Sequence, residues 1–174
     1  MQIADLIHKP GEWLKGQGPD SNIVVSSRIR LARNFEEFYF PIRLPDDDAR
    51  LLFLKVQEGV KQSAMLRELH FFDFSQLSSL QRDFLHERHL VSREFASEPE
   101  GRALLLRKDE VISVMVNEED HLRIQVIKSG FDLQNTWELA NRLDEEFSRQ
   151  MKYAYTPDMG YLTSCPTNVG TGMR

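Results

Sequence analysis

Three β-rich segments follow one another at residues 102–107, 110–117 and 121–127, and this run constrains the fold more than any other part of the sequence. They read RALLLR, EVISVMVN and HLRIQVI, and only short polar connections separate them. Parallel neighbours need a crossover of a dozen or more residues, whereas antiparallel neighbours need only a tight turn. The run therefore predicts an antiparallel meander.

Helical spacing of apolar residues appears on both sides of the meander. It predicts a helix from Asp46 to Leu69, where PDDD supplies acidic residues and a capping side chain at the amino end. Two more helices are predicted, a short one at Ser75–Glu87 and a longer one at Leu133–Met151, and SEPEG (97–101) is predicted to be a loop. The apolar stripe of the last helix comprises Leu133, Trp137, Ala140, Leu143 (or Leu139) and Phe147.

The fold class that follows is α+β, or α/β in the broad sense, with an antiparallel sheet flanked by α-helices. We expect residues 1–174 to form a single domain, because this length and 41% hydrophobic residues can supply one ordinary core. A further short strand is predicted around Tyr161–Ser164, before a loop rich in Gly, Pro, Thr and Asn.

An arginine-rich segment, NIVVSSRIRLAR at residues 22–33, alternates in the manner of a strand. If it is extended, Arg28 and Arg30 face one side of the sheet, and Ile29 and Leu31 face the other. A guanidinium group binds phosphate oxygens through paired N–H donors, so two of them on one face could hold adjacent phosphates. The alternative is that these arginines, together with Arg33, form ordinary surface ion pairs.

The turn before the last meander strand carries Glu118, Glu119 and Asp120, followed by His121 and Arg123. Such a turn is often simply solvated. The functional alternative is a cationic ligand: a carboxylate can accept a guanidinium through two parallel hydrogen bonds, aim one nitrogen and take up a proton. Arg123 would then help to hold phosphates.

Two further residues have both a structural and a functional interpretation. Cys165 is either a small buried residue or a reactive thiol, and its polar neighbours favour the thiol modestly. His89 is either a nucleotide contact or a helix-end cation that interacts with the last carbonyls. The Gly170–Gly172 run matches neither a Walker loop nor a dinucleotide fingerprint.

Composition narrows the classes of partner. With 22 basic and 27 acidic residues the formal net charge is −5, which provides no overall electrostatic footprint for nucleic acid. No apolar run approaches the roughly 18 residues of a membrane span, and the first residues lack a signal-peptide pattern. The single cysteine agrees with a reducing compartment, so we expect a cytoplasmic location.

Three motifs, VVSSRIRLARN, VNEEDHLRI and GYLTSCPTNVGTGMR, occur in an order that resembles the ATP:guanidino phosphotransferase (phosphagen kinase) family, which includes creatine and arginine kinases. The resemblance extends from about residue 10 to residue 174. Within the family it is greatest to the bacterial protein-arginine kinases, because SSRIRLAR lies so near the start. The resemblance implies the amino-terminal part of a catalytic domain of the guanidino kinase type.

The resemblance also implies roles for individual residues. Glu119 would hold and orient the guanidino group, with Glu118 beside it and Cys165 next to the reacting nitrogen. The nucleotide-binding positions would be Ser26, Ser27, Arg28, Ile29, Arg30, His89, Arg123 and Arg174. No protein metal site is implied, because Mg²⁺ would bridge oxygens of the nucleotide itself.

The implied reaction transfers the γ-phosphoryl group of ATP to arginine side chains of proteins. Family members continue far beyond Arg174 with further phosphate-binding segments, so we expect an incomplete domain that is weakly active or inactive alone. It would act as a homodimer or with a carboxy-terminal half. The alternatives are a kinase of free guanidino compounds and a non-catalytic module that binds arginine or phosphoarginine.

Overall fold

A five-stranded antiparallel sheet with helices on both faces organises the computed structural model, which describes residues 1–174. The elements in chain order are α1 (Ala4–Ile7), β1 (Ser26–Arg33), α2 (Asp46–Gln62), β2 (His70–Asp73), α3 (Ser79–Glu87), α4 (Arg93–Ser97), β3 (Ala103–Leu106), β4 (Ile112–Val116), β5 (Leu122–Ser129), α5 (Leu133–Gln150), β6 (Tyr155–Thr156) and β7 (Gly160–Tyr161). The predicted α+β class is confirmed.

The spatial order of the strands is β1-β5-β4-β3-β2. The predicted meander is therefore present as β3, β4 and β5, and the long strand β1 pairs with the far side of β5. The chain returns at its end to the outer side of β1. There the amide of Ala32 donates to Gly172 O at 2.8 Å, and Arg30 and Arg174 exchange two backbone hydrogen bonds at 2.8 and 2.9 Å.

Two hydrophobic cores form on opposite faces of this sheet. The larger contains 23 buried residues and packs α2 and α5 against residues such as Leu31 and Ile124. The smaller contains 11 and packs α1, α3 and α4 against the side chains of Leu104, Leu106 and Met115. The smaller core covers β3 and β4, which leaves the same face of β1 and β5 available for polar side chains.

Helix α2 ends at Gln62, so the prediction that it continues to Leu69 is wrong. Ser63 has extended backbone angles, and its hydroxyl accepts from the amide of Leu66 at 3.2 Å and donates to Glu146 at 2.7 Å. Leu66 is nevertheless buried in a following 3₁₀ turn, which preserved the apolar spacing. The acids of PDDD occupy the first turn as predicted, but Pro45 holds the cap position and makes no side-chain cap.

Other differences are local. Helix α3 begins at Ser79, with Ser78 and Gln81 forming a capping box, and β2 and α4 were not predicted. In α5, Ala140, Leu143 and Phe147 are buried as expected, whereas Leu133 and Trp137 are 45% and 36% exposed. The predicted strand at Tyr161–Ser164 is instead the two-residue β7, paired with β6. No helix is both long and apolar enough to cross a membrane.

Arg33 lies on the opposite face of β1 from Arg28 and Arg30. It is 2% exposed, and its guanidinium donates three hydrogen bonds of 2.7–3.1 Å to the carboxylate of Asp144 on α5. The ring of Tyr161 lies 3.7 Å from the same guanidinium. For Arg33, therefore, the ion-pair interpretation is right, although the pair is buried rather than on the surface.

Candidate functional site

Four arginines gather on the part of the sheet that the smaller core leaves open. Arg28 and Arg30 lie on one face of β1, as the alternation predicted, with Ile29 and Leu31 buried on the other. Arg123 on β5 lies directly opposite Ala32, so it shares the face of Arg30. The fourth is Arg174, which is fixed beside Arg30 by the backbone hydrogen bonds described above.

These guanidinium groups are close enough to affect one another's charge. The pKa of Arg30 is lowered first by burial and then by the positive charges of Arg123, Arg28 and Arg174. Assembling like charges on one surface costs free energy that a bound polyanion would recover. The face therefore has the electrostatic character of an anion-binding surface.

Glu118 is already occupied by contacts within the protein. Its Oε1 accepts from Arg123 Nη1 at 2.5 Å and from the hydroxyl of Ser92, the residue before α4, at 2.7 Å. The Glu118 side chain is only 7% exposed. This carboxylate thus fixes the position of Arg123, and it is not free to hold a second cation in this arrangement.

Glu119 differs from its neighbours because its carboxylate is exposed and makes no hydrogen bond or ion pair. It lines a small pocket of about 40 Å³ together with Glu118 and three of the arginines, Arg30, Arg123 and Arg174. The acidic turn and the arginine surface therefore meet at one place on one face of the sheet. A guanidinium bound by Glu119 would lie beside whatever anion the arginines hold.

Asp120 is a buried anchor that the sequence did not distinguish from the other two acids. It is 2% exposed, and its Oδ1 accepts from the Asn34 side chain at 2.6 Å and from the amide of Ser164 at 2.7 Å. Asn34 lies just beyond β1, and Ser164 directly precedes Cys165. Asp120 consequently ties the acidic turn to the end of β1 and to the cysteine loop.

His121 completes this anchor and is neutral. Its Nδ1 accepts from the amide of Phe35 at 3.0 Å, so its Nε2 carries the proton that it donates to Tyr39 O at 2.9 Å. Burial lowers the pKa of His121 to about 4, partly opposed by the hydrogen bond to Tyr39. Its ring stacks on Phe35 in the core, which gives it a structural role in holding the turn.

Cys165 is partly exposed, and its thiol lies 3.0 Å from the hydroxyl of Thr167. The same hydroxyl accepts from Arg174 Nη2 at 3.3 Å. Through Thr167 on one side and Ser164 on the other, the cysteine is connected to both the arginine cluster and the acidic turn.

Two predicted nucleotide-binding side chains have other positions. The side chain of Ile29 is 9% exposed and belongs to the larger core, so it cannot contact a ligand on the arginine face. The Ser27 hydroxyl is also buried, where it donates to Gly130 O at 2.8 Å and accepts from the amide of Asp132 at 2.9 Å. Only Ser26, partly exposed, shares the face of the arginines.

His89 lies just beyond α3 with a left-handed backbone (φ 58°). Its carbonyl accepts from Gln125 Nε2 at 2.8 Å, and Gln125 lies directly opposite Arg30, so the arginine surface extends to this histidine. Its ring is exposed and contacts Trp13 edge-on, with 5.4 Å between centroids. The ring therefore borders the arginine face instead of binding the carbonyls of α3.

Comparisons with known proteins agree with one another on the family of this chain. A sequence model described as ATP:guanido phosphotransferase, C-terminal catalytic domain, matches residues 54–174. Protein-arginine kinases from Brevibacillus brevis and Desulforamulus reducens are 46% and 42% identical over 93% and 100% of this chain. The chain spans about half the length of the curated relatives it matches, 46% and 50% in these two cases.

Solved structures agree with the fold. The substrate-free duplicated taurocyamine kinase from Schistosoma mansoni is 25% identical and superimposes with a TM-score of 0.79 over 99% of this chain and 25% of its own. Lombricine kinase, 23% identical, shares the fold with a TM-score of 0.75 over 85% of this chain and 45% of its own. With the family match covering well over half of its residues, the chain belongs to the ATP:guanido phosphotransferase family.

Proposed function

We propose that this chain provides the nucleotide-binding and guanidinium-binding surfaces of a protein-arginine kinase, which transfers the γ-phosphoryl group of ATP to arginine side chains of proteins. The observation that carries the proposal is the pocket that Glu119, whose carboxylate is unpaired, lines together with Arg30, Arg123 and Arg174. The names of the relatives at 41–46% identity support the same substrate class.

The two sides of the pocket suit the two substrates. Arg28, Arg30, Arg123 and Arg174 would bind the triphosphate, because a cluster of guanidinium groups can neutralise the charge of transferring phosphoryl oxygens. Mg²⁺ would be held chiefly by the phosphates, since Glu118 is committed to Arg123. The acidic turn would bind the target arginine with a charge of the opposite sign.

Glu119 would act on the substrate in two steps. It first accepts two hydrogen bonds from the target guanidinium, which aims one nitrogen at the γ-phosphorus. As the N–P bond forms and the bond from phosphorus to the β-phosphate oxygen breaks, ADP leaves and the attacking nitrogen loses a proton. Glu119 would accept that proton.

The remaining side chains would position this pair of surfaces. Glu118 orients Arg123, and the thiol of Cys165 lies at the end of the loop that Asp120 anchors. As a thiolate, Cys165 would attract the guanidinium from a second side. His89 would border the nucleotide. We propose a cytoplasmic location for this activity.

A phosphorylation assay tests the proposal. The chain is incubated with MgATP and an arginine-rich protein, and phosphoarginine is measured as acid-labile phosphate confirmed by mass spectrometry. Because the chain spans about half the length of its relatives and is expected to be at most weakly active, product is compared with a reaction that lacks the chain. Glu119→Gln should lower the product to that background, whereas the control Asp158→Asn, an exposed residue in the β6–β7 turn that makes no side-chain hydrogen bond, should not. Product above background that is equal for Glu119→Gln and the native chain contradicts the role of Glu119.

A kinase of free guanidino compounds is the second candidate, because the structural neighbours include taurocyamine and lombricine kinases. Competition separates the two. Free arginine in excess should leave phosphorylation of a protein substrate almost unchanged if the protein is preferred. Strong inhibition with accumulation of free phosphoarginine favours the second candidate, and arginine binding without any transfer favours a non-catalytic binding module.

A further inference from the structure

An open groove of about 1050 Å³ is lined by residues of the acidic turn, of the loop before β3 and of α2. They include Glu119 from the turn, Glu100 from the loop, and Asp46 and Phe53 from α2. Binding pockets for whole small molecules have volumes of about 300–1,000 Å³, so this groove is much larger than one arginine side chain requires.

The charge of the groove is strongly negative. Two arginines line it, Arg50 and Arg102, and Arg102 is already bound to Glu98 at 2.9 Å and to two backbone carbonyls. The carboxylates that line it are Asp46, Asp73, Glu98, Glu100, Glu118 and Glu119. Glu98 and Glu118 form ion pairs with arginines, and the other four form none. The excess of acids would attract a cationic ligand along the whole groove and not only at Glu119.

Polar side-chain atoms without hydrogen-bond partners lie beside the acidic turn. Asn117 is 8% exposed, and its amide nitrogen donates to Gly101 O at 2.9 Å, yet its Oδ1 has no hydrogen-bond partner. The hydroxyl of Ser164 is likewise buried and unpartnered. Both residues line the groove. A buried acceptor is costly when unpaired, and a backbone N–H of a bound polypeptide is the kind of donor that would satisfy it.

Exposed apolar side chains also line the groove. Ile42 is 89% exposed and Leu54 49% exposed, and both line the groove together with Phe53. Exposed apolar side chains next to a polar site are typical of surfaces that another chain covers. The groove thus offers carboxylates, an unpaired side-chain acceptor and exposed apolar side chains.

We infer that this groove binds the polypeptide that flanks the target arginine, and that it selects segments with lysine or arginine near that residue. The inference rests on the proposed function, because it takes the guanidinium at Glu119 as the anchor point. The flanking backbone donates to Asn117, and cationic side chains interact with Glu100 and Asp46. Specificity is therefore set by the surface next to the reacting group.

Peptide binding tests this directly. Fluorescence anisotropy measures the affinity of the chain for two labelled peptides, each with one arginine, flanked by lysines in one and by glutamates in the other. The lysine-flanked peptide should bind about ten-fold tighter, because each opposite-charge pair at 4–8 Å in water contributes roughly a two- to five-fold factor. The difference should shrink in high salt.

Glu100→Gln and Asp83→Asn are matched variants, since both remove one exposed carboxylate and Asp83 lies on α3 outside the groove. Glu100→Gln should weaken binding of the lysine-flanked peptide about two- to five-fold without weakening binding of the other peptide. Asp83→Asn should change neither affinity. Equal affinity for the two peptides, no binding of either, or the same effect from both variants overturns the inference.

The binding readout separates this inference from the proposed function, because it needs no phosphoryl transfer. If the lysine preference and the Glu100→Gln effect are found but MgADP does not bind, or binds equally well to Arg30→Met, the groove assignment stands and the kinase proposal fails. If both peptides are phosphorylated and bind equally well, the kinase proposal stands and the groove assignment fails.

Discussion

Replacing Asp120 by alanine should loosen the cysteine loop and destabilise the whole chain. The carboxylate receives two short hydrogen bonds, from the Asn34 side chain and from the Ser164 amide, at 2.6 and 2.7 Å in a site that is 2% exposed. A hydrogen bond to a charged group contributes about 1.5–3 kcal/mol. Asn34 keeps an alternative acceptor in Leu162 O at 3.2 Å, so we expect a total loss of about 3–5 kcal/mol.

Two measurements on the same protein check this expectation. Urea unfolding gives the loss of stability, and the rate of iodoacetamide labelling reports the loop, because Cys165 is the only cysteine in the chain. Labelling of Asp120→Ala should be several-fold faster in urea concentrations well below its unfolding transition. Asp120→Asn should have an intermediate effect, since it keeps one acceptor oxygen but loses the charge.

Asp158→Asn is the control, and it should match the native chain in both measurements. A loss below about 1 kcal/mol for Asp120→Ala would refute the energetic argument, because one surface hydrogen bond would account for it. Native labelling rates in the folded Asp120→Ala variant would refute the claim that Asp120 positions the cysteine loop.

Two further predictions concern the buried polar groups. Asp144→Ala leaves the Arg33 charge buried without its partner, so the free energy of unfolding in urea should fall by about 3–5 kcal/mol. The double variant Arg33→Met with Asp144→Leu should recover most of that loss, and an Asp144→Ala loss within 1 kcal/mol of zero contradicts the argument. The pKa of His121 is lowered to about 4 in the folded chain, whereas an unperturbed histidine has a pKa of 6.5, so the unfolded chain binds the proton first. This group's contribution to the free energy of unfolding should therefore be constant above pH 6.5 and fall by roughly 3 kcal/mol between pH 6.5 and pH 4. His121→Gln should remove most of this slope in unfolding experiments between pH 7 and pH 4, and an unchanged slope would contradict the assignment.

Local pattern was enough to predict the main elements. Alternation in β1 correctly placed Arg28 and Arg30 opposite Ile29 and Leu31, because a strand has a period of two whatever lies around it. The β3–β4–β5 meander was also predictable, because short connections can join only antiparallel neighbouring strands. The family was also predicted correctly from three motifs, and the model match confirms it.

Long-range contacts explain what the sequence did not predict. Arg33 looks like the other arginines of its segment, and only the packing of α5 brings Asp144 to it. Asp120 looks like its acidic neighbours, but Asn34 and Ser164, 86 and 44 residues away, make it a buried anchor. The carboxylates of one turn thus lie in three different environments, one paired with Arg123, one exposed and one buried, which no spacing rule distinguishes.

A sequence motif also does not reveal which face of the sheet each of its side chains occupies. Ser27 and Ile29 belong to the nucleotide-binding motif by sequence, yet their side chains support the fold from the opposite face. The end of α2 was missed because a 3₁₀ turn continued its apolar spacing after Ser63 left the helix. The sequence patterns did not show which face these side chains occupy or where the helix ends.

The central claim is that Glu119 and the arginine cluster bind opposite charges side by side. Isothermal titration calorimetry with MgADP and, separately, with the lysine-flanked arginine peptide tests it in the native chain, Glu119→Gln and Arg30→Met. Loss of charged hydrogen bonds should weaken peptide binding to Glu119→Gln at least ten-fold, with nucleotide affinity kept or increased, and Arg30→Met should show the reverse pattern. If Glu119→Gln is folded and binds the peptide as tightly as the native chain does, the account is contradicted.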